Sequence, residues 1–167
     1  DPHNYFTPEG WYATDAADPY CRIRELRELI NECHKAGIGV LLDVVYNHMA
    51  GTQFLDDIVP GYYFRTNAKG GFTSNSGCGN DTATERTMMK RLVVDSTSHW
   101  VKNYKVDGFR FDLMGLMEAS SVVDSYKACK KINASTLFEG EGWRMYNGAP
   151  GTVGMDQRYM LQTNEVS

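Results

Sequence analysis

The sequence predicts an α/β fold built on a parallel sheet. Two observations carry this. Helical patterns alternate with short apolar, β-branched runs in the order αβαβαβ, which places strands inside and helices outside. Polar residues also gather at the C-terminal end of each predicted strand, where open sheets and closed barrels of this class carry their chemistry.

The elements follow in order. Residues 1–20 are rich in Pro and aromatic side chains without a period and read as an ordered loop. Asp18-Pro19 reads as a helix start, with Asp as cap and Pro in the first turn. Ile23, Leu26, Leu29, Ile30 and Cys33 follow at helical spacing, and Gly37 stands where that helix would stop. Val40 to Val45 is the kind of run shown by parallel strands covered on both faces. The stretch 46–81 is rich in Gly, Asn, Thr and aromatics, and the long loop it forms runs to residue 83. A loop of that length in a compact domain is functional or a sign of misassigned elements. Thr82-x-x-Glu85 resembles a capping box opening a helix with Met89, Leu92, Val93, Ser96, Trp100 and Tyr104 on one stripe. Val106 to Leu113 reads as a strand, 118–132 as a helix with Val122, Tyr126 and Cys129 inward, and Thr136 to Gly142 as a third strand. The last 25 residues are loop-like, with a short helix near 156–162.

Composition removes several function classes. The 167 residues carry 17 Lys+Arg against 21 Asp+Glu, a net charge of −4, with no basic block longer than Lys130-Lys131. A nucleic-acid partner would need clustered cations. The longest apolar stretch, Ile38 to Tyr46, is interrupted by Asp43 and is too short to span a bilayer. The four cysteines form no CxxC pair, which argues against a disulfide scaffold or zinc knuckle, and Cys78 between two glycines suggests no role. Neither GxGxxG nor GxxxxGK[ST] is present, so nucleotide binding loses its main support. The chain begins Asp1-Pro2 without an initiator Met, and an internal piece of a longer protein is expected.

Three clusters carry the chemistry: Asp43-Val-Val-Tyr46-Asn47-His48, Asp107-Gly-Phe-Arg110-Phe-Asp112 and Glu139-Gly-Glu141-Gly-Trp143. Strand alternation puts Arg110 and Asp112 on one face and Phe109 and Phe111 on the other. Charges on an apolar strand are costly unless they pair or line a cavity. A structural ion pair would explain one such strand but not three. Two carboxylates on adjacent strands suit retaining glycoside hydrolysis, which needs them about 5–5.5 Å apart. Asp112 would be the nucleophile, held ionised by Arg110. Its charge would favour a proton on Glu141, the acid, with a repulsion of roughly 3 kcal/mol at 5.5 Å and an effective dielectric near 20. Once Asp112 is glycosylated that repulsion vanishes, and Glu141 turns base toward water.

At these residues the sequence resembles the α-amylase family of glycoside hydrolases. DVVYNH, DGFRFD and the Glu-bearing EGEGW match three of its signature regions. Within that family DPHNYFTPEGWYATD, SGCGNDTATER, KVDGFRFDLMG and GEGW look like type I pullulanases, the α-1,6 debranching enzymes. The resemblance implies a (β/α)8 TIM barrel, retaining chemistry and an α-glucan partner. It implies Asp112 as nucleophile, Glu141 as acid/base, Arg110 as the group orienting Asp112, and His48 as a sugar ligand at the cleavage subsite. Asp1 would line that subsite, and Trp143 and Met114 would sit near the leaving-side sugar. Asn47 would serve calcium or structure. No cofactor is implied for the chemistry, and a structural calcium in the full-length enzyme fits the family. A barrel needs about 250 residues, so residues 1–167 would form a single partial catalytic domain holding strands three to five.

The sequence departs from the family in three places. The His-Asp pair of a later strand, which supplies a third carboxylate, is not among these residues, nor is the Tyr expected before Asp1. Glu139 stands where pullulanases carry an uncharged residue, and is expected to pair with a barrel cation or compete with Glu141. The isolated segment is expected to be inactive, and both a bacterial cytoplasmic and a secreted parent fit. The rival readings are an α-1,4 amylase, a glycogen-debranching relative, a catalytically silent glucan-binding relative, and a metal-dependent hydrolase using Asp43, His48 and Asp112.

Overall fold

The computed structural model describes residues 1–166. Helix α1 spans Cys21–Lys35, β1 Leu41–Val44, α2 Gln53–Asp56, α3 Thr87–His99, β2 Gly108–Phe111, α4 Ala119–Ile132, β3 Leu137–Gly140 and α5 Gln157–Met160. The three strands form one parallel sheet in the order β1-β2-β3. The register aligns Asp43 with Arg110 and Arg110 with Glu139. A parallel register keeps side-chain alternation in phase across strands, so the sheet has one aromatic face and one charged face. Phe109, Phe111 and Phe138 are buried with Leu42 and Val44 beside them, in a core shared with Met89 and Val93 of α3 and Val122 and Cys129 of α4.

The expectation of strands covered on both faces is corrected. β2 is buried at Gly108, Phe109 and Phe111, but β1 and β3 are only half covered, with Leu41 and Leu137 exposed. β2 has a strand on each side, whereas β1 and β3 are sheet edges.

Helix α1 starts two residues beyond the expected Pro19. Asp18 still organises the entry: its carboxylate accepts from the Tyr20 N–H at 2.9 Å and pairs with Arg24 at 2.8 Å. The helix ends as expected at Gly37, which takes φ 73°. Gly37 N–H donates to His34 O and Ile38 N–H to Cys33 O, the double bond of a Schellman stop. The capping box at Thr82 is not formed. Helix α3 begins only at Thr87 because Thr82 Oγ1 donates to Tyr46 O at 2.6 Å and Glu85 is paired with Arg65 at 2.9 Å. Tertiary partners outcompete the local cap. The expected stripe of α3 continues into a π-helical turn, Trp100–Tyr104, whose wider winding buries Trp100, Val101 and Tyr104 together. No helix among the described residues is long and apolar enough to cross a membrane.

Candidate active site

The charged face of the sheet holds one cation and several carboxylates. Arg110 Nη1 donates to Asp43 at 2.8 Å and to Asp112 at 3.4 Å, while Nη2 pairs with Glu141 Oε1 at 2.6 Å. Asp43 holds the guanidinium still more firmly in its charged form. Asp112 and Glu141 follow directly after β2 and β3, so two adjacent strand ends deliver both carboxylates to one guanidinium. Arg110 contacts Asp112 as expected of an orienting group, but its closer bonds go to Asp43 and Glu141.

The backbone turns sharply just beyond Asp112. Leu113 adopts φ 41° and ψ 45°, a left-handed conformation uncommon for a branched residue. The turn aims its N–H at Glu141 Oε2 at 3.0 Å. Glu141 is therefore held at both oxygens, one by Arg110 and one by this amide.

Asn47 and His48 approach from the end of β1. Asn47 Nδ2 donates to Asp112 O at 2.8 Å and Asp112 Oδ2 at 3.2 Å. With its amide nitrogen so fixed, Asn47 Oδ1 accepts from His48 Nδ1 at 2.6 Å. Both ends of the Asn47 amide are hydrogen-bonded, which gives it a structural task between Asp112 and His48. His48 is 4% exposed at its side chain and its Nε2 meets Asp1 Oδ1 at 2.9 Å. Burial pulls the imidazole below its ordinary value, against the opposing field of Asp112. Beneath it Tyr5 donates its hydroxyl to His48 O at 2.9 Å.

Other expected residues fall differently. Trp143 is 62% exposed just past Glu141, free to stack on a ligand. Met114, expected near the leaving-side sugar, is 0% exposed and packs beneath Gly140 as part of the core. Glu139 is exposed and has no ion-pair partner among the described residues, while Arg110, its register partner on β2, is shared by three other carboxylates. Asp107 belongs to the scaffold: it accepts from Val40 N–H and bonds His34.

Two features escaped the sequence reading. One is the Leu113 amide, which carries no side-chain signature. The other is Arg65, buried in the long loop, whose guanidinium bonds Glu85, Leu116 O and Asn147 Oδ1. Arg65 ties that loop to the segment after Glu141, and a lone Arg among aromatics was the only available signal.

No family model matches the chain. Pullulanase A of Streptococcus pneumoniae serotype 2 is 44% identical over 169 residues, taking in 100% of this chain and 13% of that protein. The catalytic module of SpuA, a multi-modular glycogen-degrading pneumococcal virulence factor, superposes with a TM-score of 0.95 at 44% identity, over 100% of this chain and 24% of that one. The pullulanase SAP of Group B Streptococcus in complex with maltotetraose superposes at 0.94 with 42% identity, over 100% and 22%. The chain thus spans less than a quarter of each of these relatives. Its parallel sheet with flanking helices is that of a segment of a pullulanase catalytic module. The chain belongs to the pullulanase family, as one segment of such a module.

Proposed function

We propose that the parent of this chain is a retaining glycoside hydrolase cleaving α-1,6 bonds in pullulan and branched α-glucans. Residues 1–167 would be a single partial catalytic domain, strands three to five of a (β/α)8 barrel. The observation that carries this reading is the placement of Asp112 and Glu141 on one guanidinium at neighbouring strand ends. The maltotetraose complex of the related SAP pullulanase supports an α-glucan as substrate.

On this reading each residue has a task. Asp112, held by Asn47 and Arg110, attacks the anomeric carbon. Glu141 loses its bond to Arg110 as the substrate enters, takes up a proton from solvent and passes it to the departing oxygen. The covalent glucosyl ester leaves Asp112 without charge, and Glu141 then takes a proton from water that hydrolyses the ester. His48 and Asp1 contact the sugar at the cleavage subsite, and Trp143 supplies a stacking wall on the leaving side. The residues seen here supply two of the family's three carboxylates, so the segment alone is inactive. A metal-dependent reading through Asp43, His48 and Asp112 finds no support, because Asp43 is paired with Arg110.

In the full-length parent, Asp112→Asn abolishes turnover of pullulan while the fold survives. The unaltered enzyme releases maltotriose, the α-1,6 product. Panose as product replaces this reading with an α-1,4 amylase, and full activity of Asp112→Asn rejects the nucleophile.

A further inference from the structure

A ring nitrogen of His48, a carboxylate oxygen of Asp1 and Cys78 Sγ all lie within 4.8 Å of one another. Three separate segments bring them together: the N-terminal loop, the end of β1 and the long loop 46–83. The placement of Cys78 is built into its loop. Gly77 and Gly79 on either side take φ 79° and 87°, conformations that strain any side chain, and so fold a tight kink around the thiol. Gly79 N–H donates to Ser74 Oγ at 2.8 Å. Asn80 then locks the loop to Met49 by two bonds, at 3.0 and 2.8 Å.

His48 is already set as a ligand. Asn47 Nδ2 faces Asp112, so Asn47 Oδ1 accepts and His48 Nδ1 carries the hydrogen. With Nδ1 so occupied, Nε2 is the ring atom that faces Asp1 Oδ1, at 2.9 Å. A shared proton closes that contact in the metal-free protein, and a cation taking the proton's place would meet a ligand atom on each side. A histidine oriented through its other nitrogen by an amide oxygen is also the usual arrangement of a metal-bound imidazole.

We infer that Asp1, His48 and Cys78 form a binding site for a borderline-soft divalent cation of the zinc class. One thiolate, one imidazole and one carboxylate with an open fourth position suit that ion and suit calcium or magnesium poorly. Zinc bond lengths of about 2.0–2.3 Å place tetrahedral ligand atoms about 3.3–3.8 Å apart. The exposed Asp1 and Cys78 side chains can move that far while buried His48 stays fixed. The ion is not a cofactor. It occupies the place where His48 would meet a sugar, so metal and glucan exclude one another, a consequence that rests on the function proposed above.

The test uses the full-length parent stripped of metal and titrated with Co²⁺, then with Zn²⁺. A thiolate-to-cobalt charge-transfer absorption is expected, bleached by Zn²⁺. Cys78→Ser removes that absorption and, like His48→Gln, weakens Zn²⁺ binding at least about tenfold, the lower end of the loss caused even by outer-shell changes. Absence of the absorption, or its persistence in a folded Cys78→Ser protein, overturns the site. Maltotetraose is expected to displace the cobalt. A Cys78-dependent absorption untouched by maltotetraose upholds the metal site and tells against the sugar role of His48.

Discussion

Arg110 Nη2 reaches across from β2 to Glu141 Oε1 at 2.6 Å, while Nη1 of the same guanidinium spans Asp43 and Asp112. One planar cation therefore sets the spacing of both proposed catalytic carboxylates. Lysine brings the charge without the fork and cannot hold two carboxylates at fixed angles. Arg110→Lys in the full-length parent is expected to lower kcat about 100-fold with KM little changed, the cost of misplacing reacting groups by about 1 Å. Steady-state kinetics on pullulan check this. Unchanged kcat would mean that Asn47 and the Leu113 amide suffice to fix the pair.

Much of this architecture was legible beforehand because its signals are local. The αβαβαβ order, the Gly37 stop and the inward positions of α4 follow from periodicity and backbone preference. Strand alternation put Arg110 and Asp112 on one face, and the spacing of one helix-plus-strand unit brought Glu141 beside them. What escaped depends on tertiary competition. Thr82 and Glu85 read as a cap because nothing in four residues reveals that Tyr46 and Arg65 claim them. The family resemblance implied that Met114 sits near the sugar, whereas the chain beyond the left-handed turn at Leu113 buries it in the core. Cys78 gained a neighbourhood only when the loop was folded back on His48.

Arg65 and Glu85 form an ion pair with side chains only 4% and 7% exposed. The guanidinium also lies 4.6 Å from the centre of the Tyr146 ring. Removing one partner strands a buried charge. Glu85→Gln is expected to destabilise the catalytic module by about 3–5 kcal/mol, and Arg65→Met with Glu85→Leu together by clearly less. Denaturant unfolding of the single and double variants measures the difference. A double variant as costly as the single one would mean that Arg65 acts through Leu116 and Asn147 instead.

Met114 is fully buried among Gly140 and the core aromatics. Met114→Leu conserves volume and is expected to cost under about 1.5 kcal/mol. Met114→Ala is expected to cost about 2–5 kcal/mol by leaving a cavity. Neither should raise KM for pullulan while the fold is intact. A raised KM in the leucine variant at unchanged stability would show that Met114 reaches the sugar after all.

Burial lowers both His48 and His99, so the fold favours their neutral forms. As pH falls below about 6.5 the unfolded chain binds protons before the folded one does, and stability declines with the pH. Asp81 adds a second, more acidic window. Burial alone would raise it, but hydrogen bonds from Thr73, the Ser76 and Asn75 amides and Asn147 outweigh that and lower it. Its contribution is therefore complete above about 3.9, the ordinary Asp value, and is lost as pH drops through the lower folded value. Two declines are expected in the urea midpoint of the catalytic module, one beginning near pH 6.5 and one below about pH 4. His99 Nε2 is buried without a partner, and its ring packs edge-on against Trp100 and Phe6. His99→Phe should keep that packing and make the upper decline shallower than in the parent. Asp81→Asn should flatten the lower decline and lower the neutral-pH stability by about 1.5–3 kcal/mol, the worth of hydrogen bonds to a charged group. An upper slope unchanged in His99→Phe would assign that window to His48 alone.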